Sequence, residues 1–208
     1  MPLIIPPAPA ESIAALQAVL PAIAKRSALT KIAPNLALRL AGPSGRAPLS
    51  PALSYRVYTL GLSDLSSAER TGLRAATLSS WRHTLISDGE VVAAEISVDR
   101  TGSHHRFSSL TSHPSAFEVQ KEILALGRDP AIAKDSYEIS LLQISALGVR
   151  AVWLHDPMGK SPDLLVPVPP VRSELVAGRR YQIAEFAGAL MSPAERILAD
   201  DDPRKGSG

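Results

Sequence analysis

The amino-acid sequence predicts an α+β fold, a mostly antiparallel sheet of about five to six strands covered by helices, with an N-terminal helical arm. Three observations carry that expectation. A three-strand meander can be read over Ser80–Leu110, a capped amphipathic helix follows it, and two apolar, β-branched runs come after that helix.

The meander is the most specific of the three. Asp88-Gly89 tolerates the positive φ of a type I′ turn and lies between two runs of strand-forming residues. Counting outward pairs Ser87 with Glu90, Leu85 with Val92, His83 with Ala94, Arg82 with Glu95 and Trp81 with Ile96. Because side chains alternate between faces, Trp81, His83, Leu85, Val92, Ala94 and Ile96 share an apolar face, while Arg82 meets Glu95 on the other. A slip of one residue would mix the two sets, so turn chemistry, apolar alternation and charge pairing support one another. A second turn at Thr101-Gly102 places His105 beside Val98, Phe107 beside Ile96 and Ser109 beside Ala94.

Upstream, Met1–Ala10 holds four prolines and reads as an extended lead-in. Ile13, Leu16, Leu20 and Ile23 then recur at helical spacing over Glu11–Arg26, with Pro21 inside the pattern. Pro34, Pro43, Pro48 and Pro51 mark a linker, so residues 1–50 form an arm and residues 51–199 one α+β domain. A strand is expected over Ser54–Leu60 and a short helix around Ser66–Thr71.

After the meander, Pro114 and the capping-box pair Ser115 and Glu118 open a helix that ends at Gly127. Its stripe of Ala116, Val119, Ile123 and Leu126 is expected to cover the face bearing Trp81 and Phe107. Tyr137–Ile144 and Val149–His155 read as strands buried on both sides, with a turn at Ala146-Leu147-Gly148. Asp163–Val168 is an edge strand because Pro167 cannot donate to a ladder. Helices follow over Tyr181–Leu190 and Pro193–Leu198, and residues 200–208 form an acidic, Gly/Ser-containing disordered tail.

Composition narrows the function classes. The 208 residues include 45% apolar types, enough for one sizeable core, but only 4% aromatic ones, so stacking platforms for nucleic-acid bases are scarce. The chain has no cysteine, which removes disulfides, thiolate metal sites and a cysteine nucleophile, and cytoplasm is the default location. A formal net charge of +2 is too mild for a polyanion partner along the whole chain. Charge is instead concentrated before Leu60, where six basic residues face the single acid Glu11. The basic residues follow the first apolar helix and no apolar run is long enough to span a bilayer, so neither a secretory signal nor a membrane span is expected.

Catalytic motifs are missing. Gly159-Lys160-Ser161 resembles the end of a phosphate-binding loop, but Leu154 stands where its first glycine belongs. No zinc-protease helix, dinucleotide fingerprint or nucleophile elbow is present. His104, His105 and His113, with Asp99, suggest a metal cluster, yet adjacent strand residues point to opposite faces, so no metal or cofactor is assigned. The remaining catalytic candidates are His83 facing Ser109 across Ala94, with a hydrogen-bonded core histidine as the simpler reading, and His155-Asp156 at a strand end.

These observations favour a non-enzymatic protein-interaction or assembly module. Its partner, or a second copy of the chain, would meet Ile13, Leu16, Leu20, Ile23, Lys25 and Arg26 of the arm. The alternative is an enzyme or small-ligand binder using the loop after Trp153 and nearby histidines. Nucleic-acid binding through the arm's arginines is the weaker third.

Overall fold

The computed structural model describes residues 3–24, 51–87, 90–112, 114–171 and 174–200. The fold is α+β, with four α-helices among the described residues and an eight-stranded sheet that is antiparallel except at one pairing. Helix α1 spans Ala10–Ala24. It is followed by β1 (Leu53–Thr59), α2 (Leu62–Thr71), β2 (Thr77–Ser87), β3 (Glu90–Val98), β4 (His105–Ser112) and α3 (Ser115–Gly127). Strands β5 (Glu138–Ile144), β6 (Val149–His155), β7 (Leu164–Pro167) and β8 (Tyr181–Gln182) lead into α4 (Ile183–Asp200). The strand order is β4-β3-β2-β1-β5-β6-β7-β8, and only β1 and β5 run parallel. None of the described helices is long and apolar enough to cross a membrane.

The first hairpin has the expected register, from Trp81 opposite Ile96 to Ser87 opposite Glu90, although its turn at 88–89 lies outside the described residues. Arg82 Nη2 donates to Glu95 Oε2 at 2.6 Å on the face away from Trp81. The second hairpin keeps His105 opposite Val98 and Phe107 opposite Ile96, then slips. A bulge at Glu95/Ile96 puts Ser109 opposite Glu95 and Leu110 opposite Ala94. One extra residue in one strand of an antiparallel pair moves every later side chain to the other face, so Ser109 does not face His83.

Helix placement departs from expectation. The Trp81 face of the meander is covered by α1, whose Leu16, Leu20 and Ile23 pack on Leu85, Val92, Ala94 and Ile96. Helix α3 lies on the opposite face, with Val119, Ile123 and Leu126 against Tyr55, Val57, Ile139, Leu141, Val152 and Leu154. The physical reason is that β5 and β6 are apolar on both sides, and burying a large aliphatic side chain contributes about 1.5 to 3 kcal/mol. Helix α3 therefore covers the second side of these strands. Their first side is covered by α2 and α4 through Leu65, Ala68, Phe186, Ala187 and Leu190 around Leu142, Ile144 and Ala151.

Two further differences concern the C-terminal third. Strand β7 is interior, paired with β6 and with the two-residue β8, and Pro167 lies beyond the residues that β8 engages, so its missing donor costs that ladder nothing. The two helices expected after Tyr181 are one, with Pro193 inside α4. Phe186, Leu190 and Ala194 continue one buried stripe across the proline, which keeps the segment on the core. Gly148 closes the β5-β6 turn at φ 62, a left-handed conformation that glycine adopts without a Cβ clash.

Candidate functional site

The sheet has a tryptophan face, carrying Trp81 and Trp153, and an opposite face. On the tryptophan face α1 seals β2 to β4, while α2 and α4 cover the far side of β5 to β7. Between them runs a strip of polar and aromatic side chains in which Trp81 and Ser140 are buried and Arg56, Tyr58, Glu138 and Trp153 are half-buried. Register alone assembles it: Trp81 of β2 stands opposite Arg56 of β1, Arg56 opposite Ser140 of β5, and Ser140 opposite Trp153 of β6. The Arg56 guanidinium lies 5.6 Å from the Trp81 ring centroid and pairs with Glu138, which itself stands opposite His155. The parallel β1-β5 pairing brings Arg56 and Glu138 together across 82 residues of chain.

The far end of the strip is aromatic. Tyr58 meets Trp153 edge to face with centroids 5.1 Å apart, and Trp153 lies 5.7 Å from the His155 ring. Leu154 pairs with Leu164, so Asp163 arrives beside His155 across the β6-β7 ladder. Its carboxylate accepts from Trp153 Nε1 at 2.9 Å and contacts His155 Nδ1 at 2.9 Å. An ionised carboxylate only accepts, so Nδ1 carries the proton and the Nε2 lone pair points away from Asp163. The His155 side chain is 46% exposed. The result is an imidazole fixed in orientation by Asp163 and backed by an indole, with no hydrogen bond at Nε2 among the described residues.

The other predicted positions fall elsewhere. His83 is fully buried and closed at both nitrogens, with Ser12 Oγ of α1 at 2.8 Å from Nε2 and Ser54 Oγ of β1 at 2.9 Å from Nδ1. Burial, then the charge of His105, lowers its pKa to about 4, so it is neutral and ties α1 to the sheet. This is the hydrogen-bonded core histidine of the simpler reading, with serine partners other than Ser109. Asp156 organises its own loop, accepting backbone N–H groups of Met158, Lys160 and Ser161 at 2.8 Å each. Those donors, Met158 first, hold its carboxyl below the ordinary range. It faces the loop backbone, so the adjacent pair His155-Asp156 divides into an open histidine and a structural aspartate.

Asp99 likewise caps its turn, accepting from Thr101, Ser103 and His104. His104 pairs with it, His113 lies outside the described residues, and no metal-binding group of three or more His, Asp or Glu side chains is found among the described residues. Of the expected interaction residues, Leu16, Leu20 and Ile23 are buried against the sheet of the same chain and Ile13 is half-buried. Lys25 and Arg26 lie outside the described residues.

Arg56, Tyr58, Glu138, Trp153 and Asp163 were not among the residues expected to form a site. A local signal existed for Asp163 alone. The stretch His155–Asp163 is a strand end, an Asp-Pro and glycine turn and a strand start, and closing that hairpin juxtaposes its two ends. No protein-family model matches the chain, and neither the curated proteins nor the solved structures gave a match.

Proposed function

We propose that the chain is a small-ligand-binding protein whose site is the strip on the tryptophan face, and that it takes a ligand with a planar, hydrogen-bond-donating group. The observation that carries this reading is His155, anchored at Nδ1 by Asp163 and open at Nε2 beside the half-buried Trp153 ring. A planar group laid against Trp153 and Tyr58 gains aromatic contact, and its donor meets a lone pair already oriented, so little ordering entropy is lost on binding. The paired Arg56 and Glu138 supply one cationic and one anionic edge further along the strip.

Binding is favoured over catalysis because a general base needs a proton donor or nucleophile within about 3 Å. Among the described residues no hydroxyl is hydrogen-bonded to His155, and the chain has no cysteine. The assembly reading loses its main support once the α1 stripe is buried in cis, and Arg56, one of the N-terminal cations, is paired with Glu138. Thermal unfolding with nicotinamide and adenosine as planar probes tests the proposal. A saturable rise in Tm that disappears in His155→Ala is expected. No rise, or an equal rise in the variant, contradicts it.

A further inference from the structure

The start of the chain supplies a side chain to the tryptophan face. Ile4 forms a single parallel bridge to Glu138, its N–H donating to the Tyr137 carbonyl at 2.8 Å and its carbonyl accepting from the Ile139 N–H at 3.0 Å. Bridge partners point to the same side of a sheet, and Glu138 stands opposite His155. Ile4, Glu138 and His155 therefore make one row across the tryptophan face, with Ile4 about 10 Å from His155, two strand spacings away. Leu3, the preceding residue, packs into the cluster on the opposite face, as alternation requires.

Ile4 is held in this row without being buried. It is 39% exposed although two backbone hydrogen bonds fix its position. One exposed aliphatic residue needs no explanation by itself. Its place is what matters, at one end of a row whose other end is the half-exposed His155. Between them Glu138 gives its carboxylate to Arg56, whose register partner Ser140 lies two residues further along β5. The acid is thereby neutralised and drawn out of the row, and its methylene stem is what remains between Ile4 and His155. The row thus offers aliphatic surface at Ile4 and a hydrogen-bond acceptor at His155.

We propose that Ile4 is a specificity-determining residue of the strip and that the ligand is amphiphilic, with a planar, hydrogen-bond-donating head at His155 and Trp153 and an aliphatic tail lying across Glu138 onto Ile4. The inference rests on the strip being a ligand site. A tail directed along the row covers the exposed Ile4 side chain and gains a burial that the head alone does not have.

Titration of tryptophan emission with nicotinamide and with N-butylnicotinamide, which keeps one amide N–H, tests this in the natural chain, Ile4→Thr and Ile5→Thr. Threonine is β-branched and keeps the strand preference of the segment while replacing aliphatic surface with a hydroxyl. The butyl compound should bind the natural chain roughly tenfold more tightly than nicotinamide, the effect of burying about two methylenes. In Ile4→Thr this advantage should fall to roughly twofold or threefold, with the Kd of nicotinamide unchanged. Ile5 is 46% exposed but alternation turns it to the other side, so Ile5→Thr should keep the full advantage. Nicotinamide binding with no advantage for the butyl compound, an advantage that survives Ile4→Thr, or an equal loss in Ile5→Thr overturns the role of Ile4 and leaves the ligand site standing. No binding of either compound overturns both.

Discussion

His83 and His155 lie on the same face of the sheet and both are held at Nδ1, but they differ at the second nitrogen. His83 Nε2 meets Ser12 of α1 inside the core, whereas His155 Nε2 has no hydrogen bond among the described residues and its side chain is about half exposed. A histidine with both nitrogens engaged and its charge excluded by burial is a structural joint. One with a single anchored nitrogen is an oriented, unused acceptor. The contrast teaches that histidine in a strand says little until the partner of its second nitrogen is known, and that partner can come from a remote helix.

The joint is the easier side to break. Leu16→Ala removes a fully buried side chain from the seat that presents Ser12 to His83, and should cost about 2 to 5 kcal/mol of unfolding free energy in urea. A loss within about 0.5 kcal/mol would mean that α1 does not hold this face.

The pH dependence should follow from the same joint. The folded pKa of His83 is about 4 against an ordinary value of 6.5, so between these the unfolded chain binds a proton that the folded chain refuses. Its contribution is complete above pH 6.5, falls as the pH drops toward 4 and levels off below that, amounting to about 3 kcal/mol. Denaturant titrations across this window should show a shallower slope in His83→Gln. An unchanged slope would assign the acid sensitivity to other groups.

A smaller effect isolates the hydrogen bond. Ser12→Ala leaves His83 Nε2 without its partner in the core and should cost about 1 to 3 kcal/mol, with α1 still helical by circular dichroism. A neutral outcome would show that Ser54 alone fixes the ring.

The joint and the open site differ in how far they were legible from sequence. The first hairpin was readable because the Asp88-Gly89 turn, the apolar alternation and the Arg82-Glu95 pair all demand one register. The bulge at Glu95/Ile96 was not, since nothing in the turn at Thr101-Gly102 specifies an extra residue further up the strand. Amphipathic stripes in α1 and α3 revealed which side chains are buried, not which sheet face they cover, and that choice fell to the doubly apolar β5 and β6. Ser12 is 71 residues from His83, and Glu138 is 82 from Arg56. Such contacts follow from the β1-β5 pairing and helix docking, which periodicity cannot see. His155 was readable as a strand-end residue, but its orientation by Asp163 required the β6-β7 hairpin to close.

Separating the two histidines in one experiment tests the difference between the joint and the open site. Tryptophan emission, in which Trp153 is the half-buried reporter beside His155, is to be followed during titration with nicotinamide in the natural chain, Ser12→Ala and His155→Ala, with the Tm of each recorded alongside. A saturable change is expected in the natural chain and should persist in Ser12→Ala despite its lowered Tm. In His155→Ala the change should be abolished while stability stays within about 0.5 kcal/mol, as for an ordinary surface site. Loss of the response in Ser12→Ala with retention in His155→Ala, or no response in any of the three, would contradict it.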